Sequence, residues 1–424
     1  MRWKDHPRTV LIALLLIHVL AHVDRNMLLG FSPQITRELG LSNAQYGFLT
    51  GAVWVLSFGV MAVFLGSLAD RFSRTRVMAA GILLWSACTA ASGAAESFGQ
   101  MVAARFLVAS GEAALVPAAV SLLAELFVVQ RRGAAIGVFF MGIPLGIGVS
   151  FLLAGSLGAT QGWRSTFFTL GLVGVAIALP LALLRDRREV QESHEDAARG
   201  APFVRQVQAV FATLRATPTV VWTMVGFVLV HMVFAGLSFA PLWLVRERGL
   251  DAAAIARQLG ALQLVFGALG SLAGGVLGDR VARRVKGGHA GFMLMLLAVC
   301  GPLMIAYRFA PAGSMLFYVG MCAGFFLPLA TYGPANALIQ GLTPMRMRST
   351  VTGLTMMLIN VFAIAIGNLA VGALSDRLEA AGSPQPLTAV LLATDVLAIA
   401  SGLFFALAAR GQRSLGAGAP LIAH

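Results

Sequence analysis

The stretch Gly66-Ser67-Leu68-Ala69-Asp70-Arg71-Phe72-Ser73-Arg74-Thr75-Arg76 closes an apolar run that begins near residue 44. It recurs three times in degenerate form. Gly155-Ser156-Leu157-Gly158, Gly275-Val276-Leu277-Gly278-Asp279-Arg280 and Gly372-Ala373-Leu374-Ser375-Asp376-Arg377 each end another apolar run. The first and third copies lie 209 residues apart, and Arg132 to Gly137 resembles Arg348 to Gly353 at an offset of 216. Small residues near helix ends are common in membranes. Four copies, each closing the second helix of a triplet, are better explained by three-helix units duplicated within two halves. That is the nested repeat logic of many secondary transporters.

Composition sets the solvent. The chain has 424 residues, of which 58% are hydrophobic and only 12% charged, about half the charge of a soluble domain. This excludes a disordered protein, a nucleic-acid-binding domain and an ordinary cytosolic enzyme. The runs are continuously apolar rather than alternating, which also excludes an outer-membrane barrel. Counting about 20 apolar residues per crossing predicts twelve spans: 9–30, 44–69, 77–95, 99–127, 134–158, 165–184, 219–245, 254–278, 288–307, 313–340, 350–375 and 386–409. The polar, partly helical segment 185–218 divides the chain. The expected organisation is a six-helix bundle over 1–184, a linker over 185–218, a second bundle over 219–410 and a tail over 411–424.

The net charge of +13 reflects loops rather than an anionic partner. One set of ends and loops carries 22 Lys and Arg, the opposite set 6, which places both termini and the linker in the cytoplasm and the protein in the inner membrane. Cys88, Cys300 and Cys322 are odd in number and lie in apolar runs, so neither disulfides nor a metal site is expected. No Gly-x-x-x-x-Gly-Lys loop is present, which argues against direct ATP coupling. No cofactor and no nucleic acid are expected, and the chain is read as a monomer.

Ionisable groups inside a bilayer are costly and mark function by default. Span 1 holds His18, His22, Asp24 and Arg25, and span 4 holds Arg105 and Glu112. Asp24 is the first candidate for a proton site and Glu112 the second; Arg25 and Arg105 tune them or meet an anionic substrate. A fixed ion-pair clamp between spans 1 and 4 is the competing reading. His18 and His22 share a helix face but have no third ligand at matching depth, so a proton-path role for His22 is preferred over a metal. His231, Tyr332, Asn336 and Asn360 are polar groups at membrane depth and candidates for substrate contact, against a plain role in helix packing. Asp395 is read as a local pair.

The loop pattern Gly66-x-Leu68-Ala69-Asp70-Arg71-x-x-Arg74-x-Arg76, with its second copy Gly275-x-x-x-Asp279-Arg280-x-x-Arg283-Arg284, resembles the signature of the major facilitator superfamily. Asp24-Arg25-Asn26, Arg105 with Gly111-Glu112-Ala113-Ala114, Met141-Gly142-Ile143-Pro144-Leu145-Gly146 and Met345-Arg346-Met347-Arg348-Ser349 resemble its Spinster-type branch. The second half departs from that branch around Gly367-Asn368-Leu369-Ala370, where more glycine and a proline belong. Ile143 separates Gly142 from Pro144, unlike the adjacent pair usual in drug–proton antiporters. The resemblance implies an all-α protein of two pseudo-symmetric six-helix bundles, with spans 1, 4 and 7 facing a central path. It also implies that Asp70 meets the amides of a neighbouring helix N-terminus and that Arg71, Arg74, Arg76, Arg280 and Arg283 pair across the cytoplasmic face as a gate.

The function implied is secondary active transport by alternating access, coupled to protons. The cargo is a small or amphipathic anion, such as a lysophospholipid. A proton-driven multidrug or organic-anion transporter is the alternative, and a non-transporting receptor the remote one. Partners are the substrate and membrane lipids; no enzyme chemistry is expected.

Overall fold

The computed structural model describes residues 5–184 and 203–416, with side chains left aside at 62–64, 66–71, 129–130, 203–209, 346, 349 and 413–416. Ten helical stretches are long and apolar enough to cross a membrane. One of them, residues 131–183, supplies two spans, because Gly162 alone adopts a non-helical conformation (φ 75°) and turns the chain. Arg74–Gly93 is the twelfth span, and its 20 residues are long enough to cross. The described residues thus form the twelve helical spans that the sequence predicts. The segment 185–202 falls outside the described residues; Phe203–Ala216 of the linker is helical.

The spans are Pro7–Gly30, 43–71, Arg74–Gly93, 98–126, 129–161, 163–183, 218–246, 252–282, Gly288–Ala306, Met315–Leu342, 348–380 and Pro386–Gly416. Several are interrupted. Spans 2, 8 and 11 each contain a π-helical stretch (Phe48–Ala52, Ala273–Leu277, Ile359–Ile366), span 4 loosens at Ala113–Ala114, and span 7 turns at His231. Such irregularities release backbone groups from the helical ladder and are common at functional sites.

Contacts gather the chain into two compact units. Of the described residues, the first comprises 5–184, 238–264 and 368–387, the second 203–237, 265–367 and 388–416. The C-terminal end of span 7, the start of span 8 and the C-terminal end of span 11 therefore pack with the first six helices. In each unit glycines set helix separation. A Cβ on Gly111 would lie 2.6 Å from the Gly81 carbonyl, and one on Gly270 2.5 Å from that of Phe326. Gly274 meets the Ala330 carbonyl in the same way, so span 8 packs on span 10 through its glycines.

The second unit contains a buried ion pair. Arg308 Nε donates to Asp395 Oδ2 at 2.7 Å, with both side chains 2% exposed. The guanidinium lies 4.5 Å from the centre of the Tyr307 ring. The pair fastens the end of span 9 to span 12 and gives Asp395 the local partner that the sequence predicted. Removing one member leaves a buried charge without compensation. Asp395→Ala is therefore expected to cost about 3–5 kcal/mol, read as a lowered melting temperature in detergent. Asp395→Glu should recover part of the loss.

Candidate functional site

Four ionisable residues come together in the first unit, at the meeting of spans 1 and 4. Asp24 is fully buried, and Arg105 and Glu112 are each 6% exposed. Arg25 is half-buried. The competing clamp of direct ion pairs is not what forms. Arg105 Nη2 donates to the backbone carbonyls of Asp24 and Arg25, each at 3.2 Å. These carbonyls bond a charged donor that approaches from another helix.

The carboxylates are treated differently. Glu112 Oε2 accepts from Trp54 Nε1 at 3.0 Å. The opposite face of the same story is Arg25, whose guanidinium carbon sits 3.4 Å from the centre of the Trp54 ring, a cation–π contact. Trp54 thus links an arginine on span 1 to an acid on span 4, and it stacks on Phe58. Asp24 has neither arrangement. Both of its oxygens are buried without a well-formed hydrogen bond, and the donor beside them is the Thr89 hydroxyl, which has no other partner among the described residues. Glu112 Oε1 and Arg105 Nη1 share that condition. A buried polar group without a partner forfeits its hydration, so the cluster is poised to change partners rather than fully satisfied.

Span 5 shapes the neighbouring face. His18 Nδ1 lies 2.9 Å from the Phe139 carbonyl, and its ring stacks on Phe139 at 4.2 Å. His22 meets His18 edge-on at 4.8 Å. A Cβ on Gly142 would strike the His18 ring, and one on Gly146 would lie 2.4 Å from His22 Cβ. The glycines around Pro144 therefore let span 5 close onto the histidines. No cluster of three metal-ligating side chains exists among the described residues.

The candidates of the second unit form a separate group. His231 sits at the turn of span 7, 1% exposed, with Nδ1 2.7 Å from the Phe227 carbonyl and Nε2 buried without a partner. Its ring packs against Phe227, Phe234 and Tyr332. It is a core histidine, while Tyr332 beside it is 39% exposed and donates to Met356 Sδ at 2.9 Å. Asn336 and Asn360 each donate to the carbonyl one turn earlier, of Tyr332 and Met356. This uses the amide nitrogen and leaves Oδ1 as an acceptor.

The repeated loop motifs divide by position. The copy closing span 11 is engaged: Asp376 Oδ1 and Oδ2 accept from the backbone amides of Asn43 and Ala44 at 2.9 and 2.8 Å. A carboxylate thus caps the exposed amides that begin span 2, where the helix dipole favours negative charge. Gly372 makes this approach possible, since a Cβ there would lie 2.1 Å from the Asn43 carbonyl. Arg246 adds donors to Asn43 Oδ1 and Thr36 Oγ1, each at 2.9 Å, and the Tyr46 hydroxyl donates to the Ser238 carbonyl at 2.7 Å. The copy closing span 5 mirrors it: a Cβ on Gly155 would lie 2.6 Å from the Ala253 carbonyl, and Arg257 Nη1 donates to the Gly155 carbonyl. Nearby, Trp163 and Arg164 donate to Glu38 and hold its carboxyl below the usual range.

The other two copies differ. The side chains of Gly66, Asp70 and Arg71 lie outside the described residues. Arg74 is buried, bonded to Glu125 and to Ser121, whereas Arg76 is exposed. A Cβ on Gly275 would meet open space. Close packing falls instead on Gly274, one residue earlier. Asp279 lies 3.0 Å from His289 Nε2, and Arg280 and Arg283 are exposed. Sequence reasoning did not single out Trp54, Arg246 or Asn43; Asp376 it recorded only as part of a repeat. Its signal was the repeat itself, whereas an indole that bridges two spans leaves no spacing to read.

These features have relatives. A sequence profile described as Major Facilitator Superfamily matches residues 14–368. An "MFS-type efflux pump" of Mycolicibacterium smegmatis is 29% identical over 380 residues, 89% of this chain and 87% of that protein. "Protein spinster homolog 1" of Bos taurus is 27% identical over 418 residues, 91% of this chain and 76% of that one. Among solved structures, an inward-facing, unoccupied bacterial homolog of the human lysosomal transporter Spinster superimposes with a TM-score of 0.81 at 24% identity, covering 96% of this chain and 98% of that one. The profile spans most of the sequence and the fold agrees with it, so the chain belongs to the Major Facilitator Superfamily, a family of multi-pass membrane transporters rather than enzymes, and within it the chain is similar to Spinster proteins.

Proposed function

We propose that the protein is a proton-coupled secondary transporter of an amphipathic anion, working by alternating access between bundles 1–184 and 219–410. The observation that carries this reading is Asp24: a buried carboxyl group with no ion pair, only the Thr89 hydroxyl as a neighbouring donor, and Arg105 and Glu112 within electrostatic reach. Coupling needs an acid whose surroundings differ between two states. An acid already locked in a salt bridge would resist that change; Asp24 is not so locked. Arg25, held on the Trp54 ring and half-buried, is the cation placed to greet an anionic head. Tyr332, Asn336 and Asn360 would serve the rest of the substrate with an aromatic edge and carbonyl acceptors. A lysophospholipid-like cargo is the one implied by the Spinster-type motifs of the sequence. The relative named as an efflux pump favours the second reading, a proton-driven drug or organic-anion exporter. Both readings use the same acid. The excess of Lys and Arg on one set of loops supports an inner-membrane protein with cytoplasmic termini, and a monomer completes one path.

The network around Asp376 is read as an outer lock. Charge-assisted bonds to the start of span 2 hold the outer ends together, and they must break for the outer side to open.

Counterflow in proteoliposomes, run with lysophospholipids, organic anions and cationic drugs, tests the assignment. Asp24→Asn is expected to keep the fold and substrate exchange but to lose uptake or efflux driven by a pH gradient; unchanged pH dependence would remove the coupling role. Trp54→Phe preserves stacking but deletes the bond to Glu112, and should weaken rather than abolish pH-driven transport. Asp376→Ala removes two charge-assisted bonds and is expected to speed amide exchange at Asn43 and Ala44 by about tenfold or more, read by hydrogen–deuterium exchange. Protection equal to wild type would mean that the cap does not hold the outer end.

A further inference from the structure

A cavity of about 350 Å³ lies between spans 2, 3 and 4 in the first unit. None of the ionisable residues around Asp24 lines it. Its span 3 wall is formed by residues 73, 76, 77, 80, 81 and 84, which trace one helix face. At 1.5 Å per residue the wall from Ser73 to Leu84 rises about 16 Å. That is close to half of a roughly 30 Å hydrocarbon core, the depth of one leaflet. Met61 and Leu65 of span 2 face this wall, and Gly81 and Gly111 form part of its lining with no side chain. The two glycines are in close contact, a Cβ on Gly81 falling 2.7 Å from the Gly111 carbonyl. The groove is apolar along its length.

One end is different. Ser73 and Arg76 line it beside Phe72, which is 61% exposed. Arg76 is exposed and has no carboxylate partner among the described residues. Two residues away, Arg74 is buried and bonded to Glu125. Adjacent arginines of one motif thus do opposite things: one ties span 3 to span 4, the other offers a cation at the mouth of an apolar slot. A free arginine at that position matches a phosphate, and a leaflet-deep apolar slot beneath it matches an acyl chain.

The geometry points to a binding site for one anionic phospholipid of the bilayer, its tail in the groove between spans 2, 3 and 4 and its phosphate on Arg76. This resident lipid is distinct from the transported substrate. It assigns Arg76 to lipid recognition rather than to the gate.

The test uses the full-length protein in mild detergent, with phosphatidylglycerol and phosphatidylcholine of identical chains supplied in equal amounts, and native mass spectrometry to count retained lipids. Wild type is expected to keep one phosphatidylglycerol with a preference of about tenfold over phosphatidylcholine, the scale of one charge-assisted contact. Arg76→Gln should bring the ratio near unity, and Arg76→Lys should retain most of the preference. Ala80 is exposed in the groove wall, so Ala80→Leu should fill the slot and reduce retention of both lipids without loss of helix by circular dichroism. Arg131→Gln, at another exposed arginine, should change nothing. Equal retention of the two lipids by wild type, or an undiminished preference in Arg76→Gln, overturns the proposal. So does full retention by Ala80→Leu, or lipid uptake that rises with no step at one molecule.

Discussion

Inside a bilayer no water is available to pair a polar group, so each must find its partner in the protein. This constraint governs the whole chain. It makes the backbone helical, and it turns each intramembrane charge into a specific structural event. Arg308 and Asp395 satisfy each other. Arg105 bonds backbone carbonyls of span 1 through Nη2. Arg25 spreads its charge over an indole. Asp24 alone among these has neither oxygen in a well-formed hydrogen bond, and it stands out because every comparable group nearby has found something.

Glycine and the repeated motif explain how helices come close enough for such contacts. Gly155 and Gly372 occupy equivalent places in two copies of the same short pattern, and each lets a helix end approach the start of another. Asp376 then reaches amides that a larger residue at 372 would hold away. The motif is best understood as a device in two steps: a small residue for approach, then an acid for capture. The copy at Gly275 has the residues but not the approach, since nothing lies against it. The same short pattern is therefore closely packed in some copies and without a close neighbour in another.

Much of the fold was legible in advance. Twelve apolar runs, the break between spans 5 and 6 and the local pairing of Asp395 all follow from hydropathy, spacing and the cost of burying charge. The gathering of Asp24, Arg25, Arg105 and Glu112 was also readable, because such residues survive in apolar helices only in company. Their connections were not. A clamp of arginine to carboxylate was the competing reading for two charges of each sign. The structure instead routes Arg105 to main-chain oxygens and inserts Trp54 between Arg25 and Glu112. His231, a candidate for substrate contact, is enclosed by aromatic rings.

The sequence by itself determined that this is a membrane protein of duplicated three-helix units, because hydrophobic length and internal repetition are properties of a linear string. Only the tertiary structure decided which acid lacks a partner, which motif copy is engaged and which arginine remains exposed. Those outcomes depend on distances between residues far apart in the chain, such as Asp376 and Asn43. They are set by how closely helices pack and in which rotation. Periodicity along one helix carries no record of what the next helix places opposite it.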